Sequence, residues 1–263
     1  GIVAIMMIAA AFYNAWMIPA AENTARQKAS ARQVASELKS VILDFFTKKH
    51  IWYYIAFIIL YRFAEGFVIK IVPIFLKTDV AEGGLGLSEQ SIGLYYGAFG
   101  AAAFVIGSIL GGYFISHYGL KKTLFSLALI FNIPFAVYTL FAIYQPSAEL
   151  FIASGIVLEY FGYGFGFVGL TLFMMQQVAP GKHQMAHYAF ASGIMNLGVM
   201  LPGMFSGWLC DEVGGFRNFF IVVLVMIIVP LAITWFLPFT YDTAPQKADG
   251  GVNAALTDGE GAE

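Results

Sequence analysis

At 263 residues, 59% hydrophobic and only 11% charged, this chain holds far less charge than a soluble domain, which carries about 25%. Its mean hydropathy of +0.76 points to a polytopic membrane protein rather than a chain with one large buried core. A net charge of −2, with no basic patch outside the loops, argues against a nucleic-acid partner, and the single cysteine, Cys210, excludes an intrachain disulfide or a Cys-based metal cluster.

The chain begins at Gly1 inside an apolar run that Pro19 closes. Residues 1–21 are expected to be the end of a transmembrane helix, in a fragment or a processed product of a longer protein. Residues 22–50 change character. Arg26, Lys28, Arg32, Lys39, Lys48 and Lys49 alternate with Val34, Leu38, Val41, Ile42, Phe45 and Phe46 at helical spacing, the pattern of a basic amphipathic linker helix on an anionic membrane face.

Six spans follow, at 51–76, 91–116, 123–144, 150–176, 185–209 and 217–239. The tail, 240–263, is rich in Gly, Ala and Asp, lacks any apolar period and is expected to be disordered. The linker, Lys121, Lys122, Lys182 and Lys247 put ten basic residues on one side, against Lys77 and Arg217 on the other. The positive-inside rule therefore places linker and tail in the cytoplasm, which an even number of spans permits.

The first of these spans carries Arg62, Glu65 and Lys70 within a stretch that is otherwise apolar. By helical rise Arg62 lies roughly 16 Å deep, near the midplane, and at ~100° per residue the three charges share one polar stripe. Lys70 is expected to snorkel to the outer interface. Glu159 sits about 14 Å into the fourth span, at a depth comparable to that of Arg62. Charges at such depth face a protein interior or a wet pathway. A structural ion pair locking two helices and a substrate or proton site are both open readings. Either way Arg62 is expected to approach Glu159, Glu65 or both. Asn132, Asn196, Tyr61 and Tyr160 are further pathway candidates. Gln176 and Gln177, like Asn132 and Asn196, are open as pathway residues or interhelical hydrogen-bond partners, and Tyr54, Tyr95, Tyr96 and Tyr163 could stack on a sugar or aromatic ligand.

Glycines four apart (Gly93/Gly97, Gly107/Gly111, Gly162/Gly166 and Gly203/Gly207) suit close helix packing in lipid. Gly162-x-Gly164-x-Gly166 lies in an apolar helix with no preceding strand, so it is no nucleotide loop. Pro202 and Gly203 could hinge the fifth span. His117, His183 and His187 show no metal-ligand spacing, and neither a nucleophile nor a metal constellation lies at membrane depth. The expectation is a protein that is not an enzyme and needs no cofactor.

The stretch GGYFISHYGLKK, 111–122, resembles the loop signature of the major facilitator superfamily. Gly112, Gly119, Lys121 and Lys122 match it, while Ser116 replaces its acidic residue and His117 its basic one. YRFAEGF at 61–67, LGLSEQSIGLYYGAFG and LEYFGYGFGFVGLTLFMM at 158–175 resemble the C-terminal half of AmpG-type muropeptide permeases, with Tyr160 in a position expected to be Asn. The resemblance implies an all-α fold, a six-helix transmembrane bundle made of two inverted three-helix repeats. It also implies a missing N-terminal six-helix half, and a cavity lined by the first and fourth spans. Proton-coupled uptake of an amphiphilic solute such as a muropeptide, in the bacterial inner membrane, is the implied activity. Siderophore and acyl-CoA permeases of the same superfamily, and a complete seven-span receptor-like protein, are the alternatives.

Overall fold

The computed structural model describes residues 2–17 and 31–241. The calls on residues 18–30 and 242–263 lie outside them. The chain divides into two compact units, 1–43 and 44–263. The first holds α1 (Ile2–Met17), apolar throughout most of its length, and most of α2 (Ala31–Phe46). A helix covers 31–46 of the stretch expected to be the linker. All described elements are helical.

The second unit is the bundle. Its first span is two helices, α3 (Ile51–Tyr61) and α4 (Phe63–Lys77), meeting at Arg62. Five further spans follow that are long and apolar enough to cross a membrane: α5 (Glu89–Tyr118), α6 (Leu120–Tyr144), α7 (Glu149–Val178), α8 (Gln184–Glu212) and α9 (Phe216–Trp235). The expected spans match these within a few residues, except that the last ends four residues early.

The helix pairings repeat under exchange of the two halves. α5 packs on α7 as α8 packs on α3 and α4, α6 packs on α7 as α9 packs on α3, and α6 packs on α9. Such exchange symmetry is what two three-helix repeats produce. One pair of helix breaks follows it, α6 at Ile133–Pro134 and α9 at Ile227, while the break at Arg62 has no counterpart in α7. Aromatic side chains fill the space between, with Phe57 against Phe173 at 4.6 Å, Tyr61 against Phe131 at 5.3 Å and Phe75 against Phe220 at 5.0 Å between ring centroids.

Glycines decide which helices come closest. A Cβ on Gly164 would stand 2.1 Å from the Phe104 carbonyl oxygen of α5. On Gly107 and Gly111 of α5 it would stand 2.3 and 2.5 Å from the Phe161 and Phe165 oxygens of α7. Gly162 and Gly166 turn the other way, onto Ile130 and Leu127 of α6. The alternation Gly-x-Gly-x-Gly thus lets α7 press backbone to backbone on two neighbours at once. Gly66 does the same against Val199 and Pro202 of α8. Three expected contacts are absent: a Cβ at Gly93, Gly97 or Gly207 meets nothing within 4 Å. α8 is helical through Pro202 and Gly203, and Pro202 is buried against Gly66.

At one end of the bundle, Lys48 donates to the carbonyls of Val178 and Pro180 at 2.5 and 2.8 Å, and His183 lies 3.3 Å from Asp44. Burial lowers the affinity of Lys48 for its proton, and Asp44 opposes that shift. At the same end the residues after α9 do not leave the bundle at 240. The Gln177 side chain accepts from the amides of Thr240 and Tyr241 at 2.8 and 3.0 Å and donates to the Tyr241 carbonyl at 3.0 Å. The hydroxyls of Tyr54 and Thr240 stand 2.6 Å apart.

Candidate functional site

The break at Arg62 builds the site. Arg62 has φ −103° and ψ 14°, in the sparsely used bridge region, and helical bonding resumes at once, from the Gly66 amide to the Arg62 carbonyl at 3.0 Å. Glu65 therefore sits in the first turn of α4, where a carboxylate suits the helix dipole. The Arg62 guanidinium grips it with two bonds, Nε to Oε2 at 2.6 Å and Nη2 to Oε1 at 2.5 Å. Nη2 also donates to the Tyr163 hydroxyl at 3.1 Å. The rings of Tyr163 and Phe167 face the guanidinium, with centroids 5.8 and 5.2 Å away. Both charged side chains are buried. The pair is bidentate and tightly enclosed, the geometry in which Arg outperforms Lys.

Glu65 and Glu159 line one cavity together with Tyr96, Tyr138, Tyr160 and Tyr163. Glu159 is buried, and it receives the Tyr138 hydroxyl at 3.2 Å. The Tyr138 hydroxyl in turn lies 3.2 Å from that of Tyr96, and the Tyr96 ring meets Tyr160 edge-on at 5.1 Å. Two carboxylates and four phenols thus face a space between α4, α5, α6 and α7. Such a wall can hold a proton, accept donors from a ligand and stack on its rings.

The expected approach of Arg62 to a carboxylate is met by Glu65 on the same span, three residues on. Glu159 takes a phenol instead, so the two cavity helices are not joined there by an ion pair. Lys70 leaves the stripe: it is exposed, because five residues on from Glu65 in the same helix α4 turn it by about 140° at ~100° per residue. Tyr160 lines the cavity. Tyr61 does not; it is fully buried and donates to the Gly166 carbonyl at 2.9 Å, a tie between α3 and α7. Asn132 is buried at the turn of α6 and donates to its own Ala128 carbonyl at 2.9 Å. Asn196 is exposed and donates to the Ser192 carbonyl at 3.0 Å. Neither lines the cavity. Tyr138 was not singled out in the sequence, since a tyrosine within an apolar helix carries no spacing that marks it.

The signature loop folds as a tight turn. Gly119 has φ 81° and ψ 146°, which favours glycine. Ser116 bonds back to the Tyr113 carbonyl at 2.8 Å, and His117 and Lys122 are exposed. Lys121 lies 6.0 Å from the Phe239 ring centroid. A Cβ at Gly112 would meet nothing within 4 Å.

The profile of the Major Facilitator Superfamily matches residues 58–257, most of the chain. The chain belongs to that superfamily. It is 27% identical, over 210 residues, to a protein of Rickettsia typhi named as transporter AmpG 2, a match covering 78% of this chain and 48% of that one. The namesake from Rickettsia prowazekii is 27% identical over 206 residues, covering 76% and 47%. The chain spans about half the length of the curated relatives it matches. A crystal structure of a peptide transporter, POT, in an E310Q mutant form with sulfate, superposes with a TM-score of 0.55 at 18% identity, covering 74% of this chain and 39% of that one. This last likeness is one of fold. The chain is an integral membrane protein of that superfamily.

Proposed function

We propose that the six spans form one half of a proton-coupled secondary transporter, completed by a second six-helix half. It takes up an amphiphilic solute such as a muropeptide across the bacterial inner membrane. Transport, and not catalysis, is the activity, and no cofactor is required. One observation carries the reading: Glu159, buried at mid-span in a wall of tyrosines, has a hydroxyl as its partner where Glu65 has a guanidinium. A carboxyl so placed can gain and lose a proton without breaking an ion pair, whereas Glu65 cannot leave Arg62 without stranding a buried charge. The tyrosine faces supply surfaces for sugar rings. The likeness to AmpG proteins supports a muropeptide as solute.

The test is uptake by the full-length protein in liposomes, with an imposed pH gradient and a labelled disaccharide–tripeptide muropeptide. Siderophores and acyl-CoA serve as competitors. Glu159→Gln is expected to abolish uphill accumulation while leaving solute exchange and thermal stability intact. Accumulation equal to that of the native protein would remove Glu159 from the coupling step.

A further inference from the structure

Glu159 does not stand alone in the cavity wall. Its Oε2 lies 3.2 Å from the Tyr138 hydroxyl, which lies 3.2 Å from the Tyr96 hydroxyl. Tyr138 is fully buried, and its ring stacks on Phe220 at 5.8 Å and 26°. Tyr96 is half-buried, lines the cavity and sits in the π-helical turn Tyr95–Gly100 of α5, a distortion found most often at functional sites. The phenols are therefore held in place from three helices, and their freedom is confined to rotation of two O–H bonds.

That freedom is tied to Glu159. An ionised carboxylate only accepts, so Tyr138 must donate to it. Tyr138 has one proton to give, so between the two phenols Tyr96 must then be the donor. When Glu159 gains a proton on Oε2, it can donate to Tyr138. The Tyr138 proton turns to Tyr96, and the Tyr96 proton is released from the chain. One proton has joined Glu159, two O–H bonds have rotated and no other bond has formed or broken.

We propose that Tyr138 and Tyr96 are positioning residues that relay the protonation state of Glu159 to the cavity surface as a reversal of hydrogen-bond direction. With Glu159 ionised, the Tyr96 oxygen is an acceptor toward a ligand. With Glu159 protonated, Tyr96 becomes a donor. A solute group that accepts a hydrogen bond, such as an amide carbonyl or a sugar oxygen, then binds better to the protonated form, and the coupling is reciprocal. The other ionisable groups around Glu159 are Glu65 and Arg62, bonded to each other, and Tyr160 and Tyr163 on its own helix. This inference rests on Glu159 as the proton-accepting group.

The experiment needs no solute. The full-length protein is labelled with 13C at the tyrosine ζ carbon and the glutamate δ carbon, and both signals are followed by NMR against pH. Tyr96→Phe and Tyr138→Phe assign the phenol signals. The expected result is a Tyr96 shift that follows the Glu159 carboxyl signal in the native protein and is lost in Glu159→Gln. In Tyr96→Phe the Tyr138 signal still follows Glu159, and in Tyr138→Phe the Tyr96 signal stops moving. Should Tyr138→Phe fail to fold, the native protein, Glu159→Gln and Tyr96→Phe decide the matter. A titrating Glu159 with a stationary Tyr96 overturns the relay and leaves the proton role of Glu159 intact. A Tyr96 shift that persists in Tyr138→Phe also overturns it. A Glu159 that does not titrate overturns both.

Discussion

Glu65 and Glu159 face one cavity from α4 and α7, yet the first is gripped by a guanidinium at 2.5 and 2.6 Å and the second by a phenol at 3.2 Å. Two carboxyls of the same chemistry are thereby given different freedom. The one with a guanidinium is fixed in charge and place. The one with a phenol has a partner that serves either protonation state, because a hydroxyl both donates and accepts. The division of roles follows from one local event, the helix break that turns Arg62 toward Glu65.

The first prediction concerns that pair. Arg62→Ala leaves the Glu65 charge buried without its partner, and is expected to cost about 3–5 kcal/mol of stability. Arg62→Met with Glu65→Leu removes both charges and keeps the volume, and is expected to cost less than either single change. Thermal unfolding in detergent of Arg62→Ala, Arg62→Met, Glu65→Leu and the double variant measures this. Additive losses would mean that the two side chains act independently.

Much of this arrangement was legible in the sequence, for physical reasons. Spans are set by apolar length, and α5 to α9 lie where hydropathy placed them. Arg62, Glu65 and Glu159 stood out because charge at membrane depth is rare. Gly162, Gly164 and Gly166 announced close packing, though not which neighbour each one admits. The break at Arg62 was not legible. No proline or glycine marks that position, and it depends on a side chain closing onto a residue three further along. The partner of Glu159 was hidden for a related reason: Tyr138 is 21 residues away in sequence and meets it only through the packing of α6 on α7. Residues 240 and 241 looked like tail because they are held by Gln177 and Tyr54, side chains far away in sequence.

The second prediction separates packing glycines from open ones. Gly164→Ala would drive a methyl to 2.1 Å from a backbone oxygen of α5, which no side-chain rotation can relieve. It is expected to cost about 1–3 kcal/mol or more. Gly107→Ala, at 2.3 Å from the Phe161 oxygen, is expected to behave alike. Gly112→Ala meets open space within a helix and is expected to be neutral or to stabilise by up to about 1 kcal/mol. Unfolding midpoints rank the three, and equal effects would mean that α5 and α7 are not in backbone contact at Gly164.

The third prediction concerns pH. Lys48 lies outside the spans, and its proton affinity in the folded protein is lowered, first by burial, with Asp44 opposing. Its folded value thus lies below its unfolded one, so between the two the unfolded chain binds more protons and stability rises with pH. The penalty for the buried charge is fully present below the folded value and is relieved as pH climbs to the unfolded value, near 10.4. Lys48→Met removes this titration. The difference in melting temperature between native protein and variant, followed from neutral to alkaline pH, is expected to shift in favour of the native protein as pH rises. A difference that is flat across that range would show Lys48 to be as well solvated as in the unfolded chain.

The last prediction concerns Gln177. Its amide binds the backbone of Thr240 and Tyr241 at three points, and Thr240 is tied again to Tyr54 on α3. Phe239 adds an edge-on contact with Phe173 at 6.0 Å. The segment after the last span is thus clamped to one end of α3 and of α7. Gln177→Leu preserves the volume and deletes all three bonds, each worth about 1 kcal/mol. It also leaves the two backbone amides to find water. The expected outcome is faster hydrogen exchange at Thr240 and Tyr241, about tenfold or more for a loss of about 1.4 kcal/mol or more of local stability, with little change in the helices. Gln177→Glu supplies an acceptor for both amides but no donor for the Tyr241 carbonyl, and is expected to fall between the native protein and Gln177→Leu. Exchange at these two amides as slow in Gln177→Leu as in the native protein would assign the ordering of the segment to Phe239 and Tyr54 instead.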